Sequence, residues 1–160
     1  MNRRRSNSAG VTLIEMLIVV AIIGLMVGVL FPSASSGVDS LRLNEASNKL
    51  VNFFNDALNR AERREQAVEI SISKVERTLS IRSPGLGEKT FSLPQGISIA
   101  AILPEQEQVE SPEPPRRFMV YPGGTVPRVG VEIVNSRGAR RIVRVDPITG
   151  VPRIEVPENR

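Results

Sequence analysis

The chain has 160 residues, 41% of them hydrophobic, with 12 glycines, 12 prolines, a formal charge of +4, and no histidine, cysteine or tryptophan. That length suits one domain carrying an extra element, and the missing residue types exclude a Ser-His-Asp or Cys-His nucleophile, a zinc site of the usual ligands, and disulfides. Aspartate is confined to Asp39, Asp56 and Asp146 and lysine to Lys49, Lys74 and Lys89, so neither enzymatic activity nor a metal or other cofactor is expected.

The chain opens on a basic leader with Arg3, Arg4 and Arg5, followed by an apolar run from Val11 to Phe31 in which Glu15 is the sole charge. At about 1.5 Å per helical residue this run matches the roughly 30 Å hydrocarbon core of a bilayer. The flanking charges place the N-terminus in the cytoplasm and everything after Pro32 outside. The leader arginines serve topology, and the remainder of the chain is nearly balanced in charge. Two fates are open to this segment. An ordinary secretory signal would be removed by a cut at Ser33-Ala34-Ser35-Ser36-Gly37, releasing a secreted β-domain. Alternatively the cut precedes the apolar run and the helix is retained.

The residues Ala9-Gly10-Val11-Thr12-Leu13-Ile14-Glu15 resemble the signature of type IV prepilins: a short basic leader ending in Gly, and Glu as the fifth residue after the cut. The resemblance implies that a prepilin peptidase cleaves between Gly10 and Val11 and that Val11 is then N-methylated. Phenylalanine is commoner at that first position, and Pro32 matches a proline many members carry near the end of the apolar run, where it would kink the helix. A carboxylate among membrane residues costs on the order of 2.5–3.5 kcal/mol, so Glu15 either snorkels to the headgroups or is paired. The resemblance implies pairing with the Val11 amine of a neighbouring subunit, which would make Glu15 an assembly residue.

After a polar, flexible joint at Ser33–Gly37, the residues Leu43, Ala46, Leu50, Phe53, Ala57 and Ala61 recur every three or four positions. This predicts an amphipathic helix whose stripe packs on a sheet or forms a coiled-coil seam. From Ala67 the period becomes alternating. A hairpin is predicted over Val68–Ile72 and Arg77–Arg82, then strands at Lys89–Leu93, Ile97–Ile102, Phe118–Tyr121, Gly130–Val134, Arg140–Val145 and Pro152–Val156, separated by Gly and Pro turns. Pro104 to Pro115 carries four glutamates and four prolines and reads as a solvated, mobile loop rather than a calcium loop.

The segments Phe118 to Thr125, Val131 to Ile133 and Arg141 to Val151 resemble the H-type minor pseudopilins of type II secretion, a family shared with some minor pilins of type IV pili. Pro122, Gly123, Gly124, Asp146, Thr149 and Gly150 carry that resemblance as fold-diagnostic turns. On physical grounds they are two hairpin turns, with Gly123 and Gly124 supplying positive φ and Asp146 and Thr149 bonding the backbone. Arg137, Arg140, Arg141 and Arg144 form a basic cluster, but alternation splits it across the sheet and Tyr121 is the chain's one tyrosine, so nucleic acid is not expected as a partner. DNA-uptake relatives carry Gly-Arg-x-Arg where this chain has Gly150-Val151-Pro152-Arg153.

The expectation is an α+β, pilin-like chain: leader at 1–10, transmembrane helix half at 11–32, amphipathic half at 33–66, and a β-rich periplasmic head at 67–160 with the loop at 104–115. The resemblance implies a structural subunit of the inner membrane, with prepilin peptidase, other pseudopilins and the inner-membrane assembly platform as partners. A minor pilin of a type IV pilus, acting in priming, adhesion or DNA uptake, is the alternative.

Overall fold

The computed structural model describes residues 11–105, 113–124 and 126–157, the side chains of 29–36 excepted. Its fold is α+β. Among the described residues one helix, α1 (Leu13–Arg64), precedes eight strands: β1 (Val68–Ser73), β2 (Thr78–Ser83), β3 (Leu86–Ser92), β4 (Ile97–Leu103), β5 (Arg116–Val120), β6 (Gly130–Asn135), β7 (Arg140–Val145) and β8 (Pro152–Glu155). The chain divides into two compact units, Met1–Gly37 and Val38–Arg160.

In the first unit the apolar side chains of α1 from Leu13 to Val27 lie open. Among the described residues no helix is long and apolar enough to cross a membrane. The apolar run continues in sequence to Phe31, and the side chains of its last residues lie outside those described, as do the leader and the side chain of Pro32 with its expected kink. The helix continues through 33–37, where the Ser/Gly composition predicts a joint. Serine and a single glycine weaken a helix interior by only about 0.5–1 kcal/mol each, too little to end it.

The second unit holds the core. Every member of the predicted stripe, Leu43, Ala46, Leu50, Phe53, Ala57 and Ala61, is buried, joined by Phe54 and Ser47. Ser47 satisfies its hydroxyl by donating to the Leu43 carbonyl (2.8 Å), the back-bond that lets a hydroxyl sit inside a helix face. The stripe packs in one apolar cluster with Val68, Ile70, Ile72, Leu79 and Ile81 from one sheet and Ile97, Ile99, Val131, Ile133, Val143 and Val145 from the other. It is therefore a sheet-packing face rather than a coiled-coil seam. The helix closes in a Schellman motif: Glu65 takes φ 51°, its N–H reaches the Glu62 carbonyl, and Gln66 N–H reaches that of Ala61.

Both sheets are antiparallel and four-stranded, ordered β3-β2-β1-β5 and β4-β6-β7-β8. The predicted strands are present, with shifted ends. The largest shift is at β3, which starts at Leu86 rather than Lys89 because Gly85, at φ +73°, turns the chain directly back from β2. β5 runs from Arg116 rather than Phe118, since Arg116 and Arg117 pair with Ile72 and Ser71 of β1. Of the loop between β4 and β5, residues 106–112 lie outside those described. At its two ends Arg116 donates to the carbonyls of Ile102 and Pro104 (both 2.7 Å), and Glu113 meets Lys74 at 3.5 Å.

Candidate functional site

The proposed processing and assembly residues sit where α1 begins. Gly10 lies outside the described residues, and Val11 is exposed just ahead of the helix. Thr12 is the N-cap: its Oγ1 accepts the Glu15 N–H (3.3 Å), and its carbonyl accepts the first helical bonds from Glu15 and Met16. Thr12-x-x-Glu15 has the spacing of a capping box, a helix-start signal already present in the sequence. It gives Glu15 a local role beside the proposed one. A carboxylate in the first turn also opposes the positive end of the helix dipole. Among the described residues its carboxylate has no cationic partner within the chain.

The second group of candidates, the turns of the head, lies entirely within Val38–Arg160. Tyr121-Pro122-Gly123-Gly124 is a β-turn closed by Gly124 N–H to the Tyr121 carbonyl (3.3 Å). Proline presets the second position, and Gly123 alone takes positive φ (59°) at the third. Gly124 corrects the expectation that both glycines supply positive φ. It sits instead at a close approach, since a Cβ there would stand 3.1 Å from the Cβ of Tyr121 and would push the turn apart by a few tenths of an ångström. The turn is tied to the helix, because the Gly123 N–H donates to Glu62 Oε1 (3.0 Å). Nothing in the spacing of the sequence points to that bond across 61 residues.

Asp146, Thr149 and Gly150 form the β7–β8 turn as an interlocked unit. Asp146 Oδ1 accepts the N–H groups of Ile148 (2.9 Å) and Thr149 (3.1 Å), and the Asp146 carbonyl accepts that of Gly150 (2.8 Å), which takes φ +70°. Thr149 Oγ1 takes the Val151 N–H at 3.4 Å. The backbone donors from Thr149 and then Ile148 hold the Asp146 carboxyl below the usual aspartate range. Its charged form therefore stabilises the folded state above the ordinary aspartate pKa of about 3.9, and that contribution is lost as pH falls through the lowered value. Asp146→Ala is expected to lower the melting temperature of the head at neutral pH, by more than Asp146→Asn does, and the gap from wild type should narrow as pH falls below about 4. A gap independent of pH would show that the carboxylate is not what holds the turn.

Other charged residues tie elements together. Asp56 accepts Arg60 (3.1 Å) within α1 and Lys89 (2.8 Å) from β3. Burial pushes its carboxyl up, but the bonds from Arg60 and Lys89 outweigh that and hold it below the usual range. Asp39 receives Arg137 Nε at 2.9 Å, joining α1 to the β6–β7 turn, which buried Asn135 closes by accepting the Arg137 and Ala139 N–H groups. The basic cluster is thus drawn into pairs within the head. Arg140 bonds Glu132 (2.9 Å), Arg144 lies 3.9 Å from Glu155, and Arg141 donates to the Arg140 carbonyl. As alternation predicts, Arg140 and Arg144 are exposed while Arg141 lies on the side of Val143 and Val145.

Residues 5–31 match the prokaryotic N-terminal methylation motif, a span that includes Gly10, Val11 and Glu15. The fold is similar to that of the minor pseudopilin EpsH from the type 2 secretion system of Vibrio cholerae, with a TM-score of 0.55 over 74% of this chain and 99% of that one, at 12% identity. No protein of curated function matches the chain. An N-terminal methylation motif and a fold similar to that of a minor pseudopilin therefore occur together in one polypeptide.

Proposed function

We propose that this chain is a minor pseudopilin, a structural subunit of a type II secretion pseudopilus. Its leader is cut after Gly10 by a prepilin peptidase, and Val11 is methylated. The retained apolar helix anchors it in the bacterial inner membrane, N-terminus in the cytoplasm and head in the periplasm. Assembly with other pseudopilins, on the inner-membrane platform, runs through α1, with Glu15 meeting the Val11 amine of a neighbour. An ion pair in lipid gives that contact its direction, since an unpaired Glu15 opposes burial and a paired one favours docking.

The observation that carries this reading is the joining of a methylation motif to a pseudopilin head. The head itself supports a structural role. Its diagnostic turns use their Asp, Thr and Gly residues to satisfy and bend the backbone. Deleting the chain in its host should block or reduce release of exported proteins into the medium while leaving surface pili intact. Normal export with lost piliation, adhesion or DNA uptake would transfer the chain to a type IV pilus as a minor pilin.

A further inference from the structure

The four sheet edges of the head are not equivalent. β3 exposes Glu88 and Lys89 and its pairing shifts register between Ile81 and Ser83; β5 carries Arg116 and Arg117; β4 has a bulge between Ile99 and Ala101. Charges and bulges of this kind blunt an edge against further pairing with an arbitrary strand; β8 carries charges too, Arg153 and Glu155, but they are of opposite sign on one face, which a second copy of the same strand can match. β8 differs in what it shows on the core side of its sheet. Ile154 lies opposite Val143, which is fully buried, yet remains 41% exposed, and Val156 beyond it is 66% exposed. The core-facing row simply runs out into solvent.

Among the described residues no strand pairs with the outer edge of β8. Asp146 N–H bonds the Val151 carbonyl (3.1 Å), and the register pairs Arg144 with Arg153 and Ile142 with Glu155. Antiparallel bonding alternates, so those pairs face each other through their N–H and C=O groups, while those of Ile154 and the carbonyl of Pro152 point outward; Val156 directly follows the strand. Pro152 lacks an N–H but sits at the strand's first position, where that costs least. On the outer face Arg153 and Glu155 flank Ile154. Among the described residues each has a single long ion pair, Arg153 to Asp146 and Glu155 to Arg144, both at 3.9 Å.

This pattern is complementary to itself. In an antiparallel pairing centred on Ile154, Arg153 stands opposite Glu155 of the second copy and Glu155 opposite its Arg153, while the two Ile154 side chains meet on the core side. Pro152 faces Val156 of the other copy and accepts its N–H, so the missing proline donor falls at the end of the ladder. The geometry points to β8 as a homotypic docking edge through which two heads join by strand addition, extending the four-stranded sheet across a two-fold axis. The interface is isologous and closes on itself, so it makes pairs of heads and does not propagate a polymer. This inference goes beyond the proposed function and stands whichever filament the chain serves.

The chain has no cysteine, so Ile148→Cys at the exposed β7–β8 turn gives a single dye site. Full-length chain in detergent micelles, labelled with donor in one batch and acceptor in another, reports approach of two heads by energy transfer. Arg153→Glu and Glu155→Arg each place like charges opposite one another twice in a homotypic pair, and each alone should weaken β8-dependent transfer about tenfold. An equal mixture of the two single variants restores complementarity at both positions and should recover wild-type transfer. Ile154→Pro removes the central donors without touching the bonds to β7, and should abolish transfer while the head's melting transition persists. Transfer unaffected by the single charge changes, or a mixture no better than either alone, would overturn the proposal.

Discussion

Phe54→Ala should destabilise the head by about 3–5 kcal/mol, the range for deleting a fully buried aromatic ring. Phe54 is 0% exposed at the centre of the helical face. It meets Phe53 edge-on at a centroid distance of 5.8 Å, and Phe53 in turn lies 6.4 Å from Phe91 of β3. The cavity would open where helix and sheets meet, and neighbours held by a helix on one side and hydrogen-bonded strands on the other have little freedom to collapse into it. Since domains are stable by only about 5–15 kcal/mol, such a loss approaches unfolding. The measurement is urea denaturation of a fragment beginning at Asp39. That fragment retains the whole apolar cluster, because every residue of it falls within Val38–Arg160. Leu41→Ala, at a position 68% exposed, should stay within about 0.5 kcal/mol. A Phe54→Ala cost below about 1 kcal/mol would contradict the packing described, since a buried ring cannot be removed so cheaply.

Glu15→Ala should still insert in the membrane yet lose most crosslinking to other pseudopilins. Removing the charge makes the segment more apolar by on the order of 2.5–3.5 kcal/mol on insertion scales, so insertion is not the step that fails. The capping-box geometry supplies a competing explanation, in which Glu15 matters only because it starts the helix. Glu15→Gln separates the two. Glutamine serves a capping box as well as glutamate does but carries no charge to meet a neighbouring amine. If assembly depends on the ion pair, the glutamine variant fails as the alanine variant does. Wild-type crosslinking by Glu15→Gln would reduce Glu15 to a helix-start residue, worth only about 0.3–1 kcal/mol through the helix dipole.

Much of this architecture is legible in the sequence, because hydrophobic period is a local property. The stripe from Leu43 to Ala61 and the alternation in β1, β2 and β7 are written in side-chain order, and the structure buries those same residues. Phe54 fits the same count, four residues after Leu50 and three before Ala57, and a wide helical face buries it beside Phe53. The Asp146 turn is likewise local, its bonds spanning five residues or fewer. What the sequence hides are contacts between distant segments. The Gly123 bond to Glu62, the Lys89 bond to Asp56 and the Arg137 bond to Asp39 depend on which helix turn faces which loop, and no spacing encodes that. Gly124 shows the same limit on a smaller scale: a glycine at a close approach looks in sequence like one required for φ.

The account rests on retention of the apolar helix after a cut at Gly10, and intact-mass and N-terminal peptide mass spectrometry of the protein from its host tests this most directly. The predicted result is a mature chain beginning at N-methylated Val11, recovered in the membrane fraction. Soluble protein with a terminus near Ser36 or Gly37 would contradict it, and would make the chain a secreted β-domain released by an ordinary signal peptidase.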